Sequence, residues 1–405
     1  MKLTVNNLKG FNAALKTAAQ VVEKKSTMPV LSHVRLYQEN DKTFFMSTNL
    51  ETAVKVDISS TVCVEEAGDA LIPAKVLKDY ATKRKQEFMI TTDENWGTIG
   101  TMRVALLPSS DFPAWPVQGK ERIGIITDLS QKIKQVFYAV GESDTRYTLN
   151  GLYFDFTNKR LVGTDGHRLA LTAIDMNSEK PVIIKREAMK IMQTLKTDPE
   201  IATGDSHTLF DYGKGLMQIL ASNIVGTYPN VDNVLPKTFN SICAVNREAL
   251  LQTIDRVSLV SRAKANEIGL YCRYLGPGKQ ELGIYTSNPD IGEAEEFIPC
   301  TWDPSAIIHF GVNGRYLMDC LKAMDCEEVV ICYGGELTPI KIVDPENPNS
   351  LHIIMPMRTD LSGKAYFPYS KLPDDMPADV KDQIMAKIWQ ARISRKLAKA
   401  RERSL

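Results

Sequence analysis

The chain has 405 residues, more than one hydrophobic core usually organises, so two to four domains are expected. Lys plus Arg and Asp plus Glu both number 49, and this zero formal net charge excludes a protein that holds nucleic acid by bulk attraction. No stretch approaches the roughly 20 apolar residues of a membrane span, and the opening MKLTVNNLKGF lacks the apolar core of a signal peptide, so we expect a cytoplasmic protein with no membrane partner.

The first third of the chain predicts strands around two amphipathic helices. Residues 3–5 favour a strand, and Asn6-Asn7 then begins a helix whose apolar residues recur every three or four positions, at Leu8, Phe11, Ala14, Leu15 and Ala18. Strands are expected over 29–36, 44–49 and 53–56. A second helix is expected from Ala74 onward, and strands follow as far as Leu107.

The same order of elements then returns twice. A helix is predicted to be capped by Asp128-Leu129-Ser130, and another is predicted from Lys185 to Leu195. The third pass begins near Asn246, and its second helix begins near Asn313. The first of these two helices is expected to carry Leu250, Leu251, Ile254, Val257 and Leu259. Corresponding helices start about 120 residues apart, and a period of that kind indicates repeated structural units.

We therefore predict an α+β fold of three repeated domains, each with two helices backed by antiparallel sheet. The predicted domains are 1–122, 123–242 and 243–358. Residues 359–405 are predicted to form a linker and a basic helical C-terminal extension, because from Val380 onward eight Lys and Arg residues stand against two acidic ones.

Cysteine and histidine spacing predicts no metal site and no cofactor. The cysteines are odd in number and form no CxxC pair, which favours buried free thiols in a reducing compartment; they are Cys63, Cys243, Cys272, Cys300, Cys320, Cys326 and Cys332. The histidines are scattered along the chain, at His33, His167, His207, His309 and His352.

Two stretches have unusual composition. The first is RYTLNGLYFDFTNKRLVGTDGHRLAL at 146–171, which predicts two strands joined by a turn and then an Asp-Gly turn. Strand alternation predicts one set of side chains on one face, Asp165, His167 and Leu169, and the other set opposite, Gly166, Arg168 and Ala170. The second stretch is LHIIMPMR at 351–358, which is apolar, methionine-rich and interrupted by proline. These compositions favour a recognition site. A turn with a hydrogen-bonded histidine that has a purely structural role is the alternative.

RYTLNG followed by TDGHRLAL, with MPMR far downstream, resembles the bacterial DNA sliding clamps, the beta subunits of DNA polymerase III. The resemblance covers residues 1–358. It implies that two copies join head to tail as a dimeric ring around double-stranded DNA, with the helices lining the hole and the sheets outside. Such a ring is a processivity factor and not an enzyme. It slides because its phosphate contacts are independent of sequence.

The resemblance also implies a groove between the second and third domains for short linear peptides from DNA polymerase, the clamp loader and repair proteins. Aliphatic and thioether side chains suit a plastic apolar pocket, and His167 and Arg168 would fix the peptide backbone. The family commonly has arginine where this chain has Asn233. The positions that match the groove are Leu149, Thr164, Gly166, His167, Arg168, Leu169, Pro229, Val234, Tyr316, Leu337, Pro339, Ile353 and Met355, with Met357 at the rim.

Candidate DNA contacts are basic or aromatic residues at helix starts and in the turns beside them. They are Lys24, Lys25, Lys75, Lys78, Arg146, Tyr147, Lys185, Arg186 and Arg315. The resemblance supports four of them by position, namely Lys25, Tyr147, Lys185 and Arg186. The family usually has a second aromatic residue where this chain has Thr148. Each charge is also compatible with a solvated surface group.

The joint between subunits that the resemblance implies would use Leu259 and Val260 on the first helix of the third domain. They would meet Met102 and Val104 at the edge strand of the first domain. Pairing of sheet edges across the joint would satisfy exposed backbone groups. Packing into the core of the same chain is the alternative for these four residues.

Two other functions remain open from the sequence. Asp165 and His167 could polarise a serine in a hydrolase, although the chain contains no GxSxG, GxxxxGK[ST] or HExxH sequence. A monomeric peptide-binding scaffold would use the same groove without forming a ring.

Overall fold

The computed structural model describes residues 1–23, 27–115, 121–176, 178, 180–239, 241–261, 266–276, 279–302, 308–335 and 338–357. Over these residues the helices and strands occur in three successive repeats of one order, which confirms the predicted α+β fold of three repeated domains. The predicted helix in the C-terminal extension lies outside the described residues. No helix in the described part is long and apolar enough to cross a membrane.

The three repeats have matching elements, except that β5 of the first has no counterpart among the described residues of the other two. The first contains β1 (Lys2–Val5), α1 (Leu8–Ala18), β2 (His33–Glu39), β3 (Lys42–Thr48), β4 (Thr52–Asp57), β5 (Val62–Glu66), β6 (Asp69–Pro73), α2 (Ala74–Lys83), β7 (Phe88–Thr92), β8 (Trp96–Ile99) and β9 (Met102–Ala105). The second contains β10 (Glu121–Ile125), α3 (Leu129–Phe137), β11 (Gly151–Asp155), β12 (Arg160–Thr164), β13 (Arg168–Ala173), β14 (Val182–Lys185), α4 (Arg186–Met192), β15 (Glu200–Thr203), β16 (His207–Tyr212) and β17 (Met217–Ser222). The third contains β18 (Ser241–Asn246), α5 (Arg247–Val257), β19 (Glu267–Gly276), β20 (Lys279–Asn288), β21 (Gly292–Trp302), β22 (His309–Asn313), α6 (Gly314–Lys322), β23 (Glu328–Tyr333), β24 (Ile340–Val343) and β25 (Ser350–Ile354).

Asparagine side chains begin three of the helices. Asn7, Asn246 and Asn313 each accept a hydrogen bond from a backbone N–H of the following turn, at 2.9–3.2 Å. An N-cap of this kind satisfies a donor that has no partner inside the helix. Local sequence therefore determines where α1, α5 and α6 begin.

The start of α3 differs from the prediction that Asp128-Leu129-Ser130 supplies the cap. The backbone N–H groups of Asp128 and Leu129 instead donate to the carboxylate of Asp198, at 2.9 and 3.0 Å. A side chain that is distant in sequence therefore holds this end.

Two predicted helices end earlier than expected. The helix α4 ends at Met192 and leaves Leu195 outside, and the Thr194 hydroxyl donates to the carbonyl of Ile191 at 2.7 Å just beyond its end. The helix α5 ends at Val257, and Leu259 lies in a short 3-10 helix over Ser258–Val260.

One compact unit comprises Met1–Ile133, Gly151–Lys159 and Ile174–Gly226. It contains sheets of order β5-β1-β7-β8-β9 and β10-β15-β16-β17-β4-β3-β2-β6, together with the antiparallel pair β11 and β14. Part of its core lies under α1, where Phe11 contacts the rings of Phe45 and Phe88 at 5.1 and 5.9 Å.

The other compact unit comprises Lys134–Asn150, Arg160–Ala173 and the chain from Thr227 onward. Its strands follow the order β12-β13-β25-β24-β23-β18-β21-β20-β19-β22. The helices α5 and α6 pack on this sheet over a core that includes Leu250, Ile284 and Leu317. Nearly all predicted groove positions belong to the described part of this unit.

Two strand pairs join consecutive repeats, and we call them the first and second junctions. In the first junction β4 pairs with β17, with Val54 opposite Ile219; in the second β13 pairs with β25, with Ala170 opposite His352. In each case the third strand after a repeat's first helix pairs with the last strand of the next repeat. The corresponding strands that remain are β21 of the third repeat and β9 of the first.

Candidate functional sites

The turn between β12 and β13 is held by two side chains. Thr164 Oγ1 accepts from the N–H of Gly166 at 3.1 Å and donates to the carbonyl of Arg168 at 2.6 Å. Asp165 Oδ1 accepts from the N–H groups of His167 and Arg168 at 2.9 and 3.0 Å. The predicted alternation of side chains here is wrong, because β13 begins at Arg168 and the preceding residues form a turn.

The Arg168 side chain bridges two carboxylates. Its Nε donates to Asp165 Oδ2 at 2.9 Å and its Nη1 to Asp319 Oδ2 at 2.7 Å. Its guanidinium carbon lies 4.4 Å from the ring centre of Tyr316 and 5.3 Å from that of Tyr138. Burial lowers the pKa of Arg168, but the hydrogen bond to Asp319 and the nearby charges outweigh it, so the pKa is raised overall. Arg168 is therefore a permanent cation whose position is set by two anions and two rings.

The exposed ring of His167 stacks beside Tyr316, with ring centres 6.3 Å apart and planes at 24°. The carbonyl of His167 accepts from the N–H of Met355 at 2.9 Å. The fold therefore brings the two unusual stretches of the sequence together. The register of β13 and β25 continues this contact, with Leu169 opposite Ile353.

A buried histidine lies beneath this surface. His352 Nδ1 is 2.9 Å from the hydroxyl of Tyr138, and His352 Nε2 is 2.9 Å from the hydroxyl of Ser350. Burial lowers the pKa of His352 to about 3, and burial also raises the pKa of Tyr138 well above its usual value. Both groups are therefore neutral at physiological pH and serve as hydrogen-bonding partners inside the core.

The predicted groove positions differ in accessibility. Four are buried, namely Leu149, Thr164, Leu169 and Ile353. Five are half-buried, namely Arg168, Tyr316, Pro339, Met355 and Met357. Four are exposed, namely Gly166, His167, Pro229 and Val234. Leu337 lies outside the described residues. Buried positions can only support the floor of a groove, whereas His167, Tyr316 and the two methionines are accessible to a ligand.

Sequence reasoning missed three residues of this site, Tyr138, Asp319 and His352. Asp319 had a usable signal, because it follows Tyr316 by three positions on α6 and so shares its face. Tyr138 and His352 gave no such signal, since they lie far apart in the chain and meet only in the fold.

The candidate DNA contacts at 146 and 147 have different surroundings. Tyr147 is 60% exposed. Arg146 donates to Asp144 at 3.0 and 2.9 Å and to the carbonyl of Asp165 at 3.1 Å. These bonds lower the pKa of Asp144 to about 2. Arg146 therefore braces the turn that carries His167, and this arrangement leaves fewer of its donors for phosphate.

The other candidate DNA contacts that the structure describes lie in helices or directly before one. Lys185 forms an ion pair with Glu51, and Arg186 is half-buried at the first position of α4. Three more are exposed, namely Lys75, Lys78 and Arg315. Lys24 and Lys25 lie outside the described residues.

The helices of the described residues concentrate positive charge. Lys and Arg number two in α1, three in α2 and two in each of α3, α4, α5 and α6, thirteen together, against five Asp and Glu residues. The whole chain has no net charge. The residues outside these six helices therefore carry the balancing net negative charge, and the six helices are net positive.

The candidate joint residues are accessible. Leu259 is 79% exposed, and Met102, Val104 and Val260 are half-buried. None of the four is part of the buried core, which argues against the alternative of core packing. Leu259 and Val260 lie in the 3-10 helix after α5 and not on α5 itself, which corrects the predicted placement. The strand β9 is the last in its sheet order, as expected for an edge.

The geometry argues against hydrolase chemistry at Asp165 and His167. One carboxylate oxygen of Asp165 accepts two backbone N–H groups and the other accepts Arg168 Nε. The His167 ring stacks on Tyr316. The carboxylate therefore orients a turn and an arginine, whereas a catalytic triad needs it against the imidazole.

The chain matches three consecutive family models. These are the N-terminal domain of the DNA polymerase III beta subunit over residues 1–116, its central domain over 126–230 and its C-terminal domain over 232–358. A relative from Pseudomonas putida named "Beta sliding clamp" is 30% identical over 369 residues, which cover 85% of this chain and 96% of the relative. One of the same name from Caulobacter vibrioides is 27% identical over 383 residues, with 88% and 100% covered.

Solved structures resemble the chain over most of its length. A DnaN sliding clamp from Bartonella birtlesii bound to griselimycin has a TM-score of 0.80 at 27% identity, covering 89% of this chain and 100% of that one. The DNA polymerase III subunit beta from Pseudomonas aeruginosa has a TM-score of 0.78 at 26% identity, with the same coverage.

Proposed function

Because the chain belongs to the family of DNA polymerase III beta subunits, the bacterial sliding clamps, we propose that it is a processivity factor. Two copies close a ring around double-stranded DNA and tether the replicative polymerase to it. DNA polymerase, the clamp loader and repair proteins bind through short linear peptides. The role is mechanical, with no catalytic step and no cofactor, and it is carried out in the cytoplasm.

The strand pairing that recurs at the two junctions is the main support for a ring. β4 of the first repeat pairs with β17, the last strand of the second repeat. β13 of the second repeat pairs in the same way with β25, the last strand of the third repeat. β9 ends its sheet, and β21 pairs with β20 along 292–299 and with β18 along 300–302. A second copy would supply partners to both β9 and β21 by the same rule, and the pairing would remove two sheet edges.

The side chains at these two edges are complementary. The outer part of β21 carries Glu293 and Glu295, beside a Glu296 that Arg256 already pairs, whereas β9 carries the exposed Arg103. Leu259 adds an exposed apolar side chain near this end of the third repeat, since the 3-10 helix that holds it packs against β20 and β21. Apolar contact would stabilise the joint, and the opposite charges would favour the head-to-tail arrangement.

The charge distribution suits a ring that slides. The helices carry the excess of Lys and Arg, and a chain with no net charge has little general attraction for DNA. Non-specific phosphate contacts position a duplex without reading its sequence. Attachment would then depend on enclosure, and the helices would need to make weak contacts only.

The second junction is the proposed peptide site. His167, Tyr316 and Met355 are accessible there, and Arg168 is a fixed cation between two carboxylates. A stacked ring pair, a thioether and an oriented guanidinium match an apolar peptide anchor with a polar backbone.

Loading the protein onto nicked circular DNA with a clamp loader tests the enclosure. We expect retention on the circle and rapid loss after a restriction enzyme cuts it, because a closed ring leaves only over a free end. Retention on the linear product would indicate adhesion and contradict the proposal.

Native mass spectrometry tests the joint. We expect two chains per particle for the unmodified protein and for Val225→Lys, and one chain for Leu259→Lys. Val225 is a matched control because it is exposed to the same 79%. A single chain per particle for the unmodified protein would favour the monomeric scaffold.

A further inference from the structure

The third repeat brings three cysteines together that the sequence keeps far apart. Cys243 lies on β18, Cys272 on β19 and Cys300 on β21, and their sulfur atoms all lie within 4.8 Å of one another. The proposed DNA and peptide sites use none of them. A thiol cluster of this kind needs its own explanation.

Strand register explains the contact. Cys243 is opposite Trp302 and Val245 is opposite Cys300, so the two cysteines are diagonal neighbours on one face of the β18–β21 pair. The Cys272 sulfur on β19 lies at the same point, although β20 lies between β19 and β21 in the strand order, and the pairing of β20 with β21 ends at Pro299. Three different strands therefore each contribute one sulfur.

The cluster is mostly buried, but two of its three cysteines are partly accessible to solvent. Cys243 is fully buried, whereas Cys272 and Cys300 are half-buried. The side chains around it belong to an apolar core that includes Leu282, Ile298 and Trp302. An apolar surrounding excludes hard, strongly hydrated cations and suits a soft one.

The distances fit a single ion. A metal–sulfur bond of about 2.3 Å places three sulfurs about 3.8–4.0 Å apart around one ion in tetrahedral or trigonal geometry. Sulfurs within 4.8 Å of one another reach that separation by contracting less than about 1 Å, which small side-chain rotations supply.

We propose that Cys243, Cys272 and Cys300 form a three-thiolate site for a soft, thiophilic cation of the Cu(I) or Zn(II) class. On binding, each S–H bond that breaks releases its proton to solvent as a sulfur–metal bond forms, and no sulfur is oxidised. Zn(II) leaves the complete site with one negative charge and Cu(I) with two. Zn(II) therefore has the smaller burial cost, whereas three ligands without a fourth suit Cu(I).

Thiolate is the form that binds metal, so each of the three thiols loses its proton as the ion binds. Cys332, a buried cysteine on β23 of the same repeat, is not part of the cluster and offers a matched control.

Binding would join β18, β19 and β21 at one point. These strands lie far apart in sequence, so a bound cation links parts of the third repeat that would separate on unfolding. A ligand that binds only the folded state raises the unfolding free energy by RT ln(1 + [L]/Kd), so the increase continues with added cation. A rise in unfolding temperature with added cation is therefore a second measure of the site.

The experiment uses the full chain, reduced with a phosphine and freed of metal under nitrogen. Cu(I) is titrated against bicinchoninate and Zn(II) against a chromophoric chelator. We expect one equivalent of at least one cation per chain, with proton release. We expect at least a tenfold loss of affinity in Cys272→Ser and Cys300→Ser. Cys63→Ser, at the exposed cysteine, and Cys332→Ala, at a buried cysteine of β23, should keep the full equivalent.

Competition by the chelator that leaves no metal on the protein would overturn the proposal, as would equal affinity in Cys272→Ser or loss of binding in Cys63→Ser. Circular dichroism checks the fold of each variant. Where a serine variant is unfolded, alkylation of the unmodified chain replaces it. Protection of Cys272 and Cys300 by the cation, read by peptide mass spectrometry, supports the site, and unchanged alkylation rejects it. The choice between Cu(I) and Zn(II) follows from which titration succeeds.

Discussion

The first and second junctions are built on one turn and differ in what the turn carries. At the first junction Thr48 Oγ1 donates to the carbonyl of Thr52 at 3.1 Å and accepts from the N–H of Leu50 at 3.0 Å. Asn49 Oδ1 accepts from the N–H groups of Glu51 and Thr52 at 3.1 and 2.7 Å. Thr164 and Asp165 make the equivalent four bonds at the second junction.

The correspondence extends to the neighbouring strand. The carbonyl of Glu51 accepts from the N–H of Ser222 at 2.7 Å, and that of His167 accepts from Met355 at 2.9 Å. The third residue of each turn has positive φ, with 71° at Leu50 and 83° at Gly166. A threonine followed by Asn or Asp therefore sets this turn twice.

The difference lies in the last three turn residues, Leu50-Glu51-Thr52 at the first junction and Gly166-His167-Arg168 at the second. Glu51 forms an ion pair with Lys185, whereas Arg168 is held by two carboxylates and two rings. Backbone pairing is the same in both junctions. The turn thus supports different surface chemistry without a change of fold, and only the second junction presents the stacked rings of a peptide site.

Removing Arg168 should give the largest difference in unfolding free energy between the two junctions. Arg168→Ala leaves the carboxylates of Asp165 and Asp319 unpaired and partly buried, so we expect a loss of about 3 kcal/mol in unfolding free energy. For comparison, Glu51→Ala removes the single, partly exposed Glu51–Lys185 pair at the first junction and should cost less, about 1 kcal/mol. Urea unfolding of both variants measures the difference, and equal losses would contradict it.

Acid should weaken the second junction selectively. His352 is opposite Ala170, where the first junction has Ile219 opposite Val54. The unfolded chain protonates this histidine below its ordinary pKa of 6.5, whereas burial holds the folded pKa at about 3. As pH falls from 6.5 toward 3, the unfolded state therefore binds a proton that the folded state does not, and stability falls by about 1.4 kcal/mol per pH unit.

The variant His352→Ile copies the first junction and should remove that part of the slope. We expect the unmodified protein to lose about 2.3 kcal/mol more than the variant between pH 6.5 and 4.5, since the unfolded histidine is already half protonated at pH 6.5. Urea midpoints at the two pH values give the comparison. Parallel losses would show that His352 is not the responsible group.

Peptide binding should depend on the ring pair. Tyr316→Ala removes the partner of His167 and one face of the Arg168 site, so we expect about a tenfold loss of affinity for a clamp-binding peptide. Fluorescence anisotropy with a labelled peptide measures it. Tyr147→Ala, at an exposed tyrosine outside the ring cluster, is the control and should leave peptide affinity unchanged.

Substitutions at the third residue of each turn should have the smallest effect on stability, and they test whether the two turns share one backbone conformation. Gly166→Ala places a Cβ at positive φ and within 2.6 Å of Arg146 Nη2, so it should destabilise by about 1 kcal/mol. Leu50→Gly relieves the same backbone strain at the first junction and should cost nothing or stabilise slightly. Thermal unfolding of both variants provides the measurement, and a shift of the same sign in both would refute a common turn.

The sequence predicted the helices and the threefold order well, because their signals lie within a few residues. Apolar spacing located α1, α2, α5 and α6, and the caps at Asn7, Asn246 and Asn313 are local hydrogen bonds. The cap of α3 was missed because Asp198 comes from a distant segment. The groove positions came from the family resemblance and not from spacing, and Asp319, Tyr138 and His352 are absent from that set.

What the sequence determined by itself is local: where the chain coils, where it turns and which strands are apolar. The tertiary structure decided which strands became neighbours, and so it alone placed His167 against Tyr316 and Cys243 against Cys272 and Cys300. The physical reason is that strands pair through backbone N–H and C=O groups, which are common to every residue, so partner choice is settled by packing of the whole repeat. Contacts between side chains on paired strands therefore leave no local signal in the linear sequence.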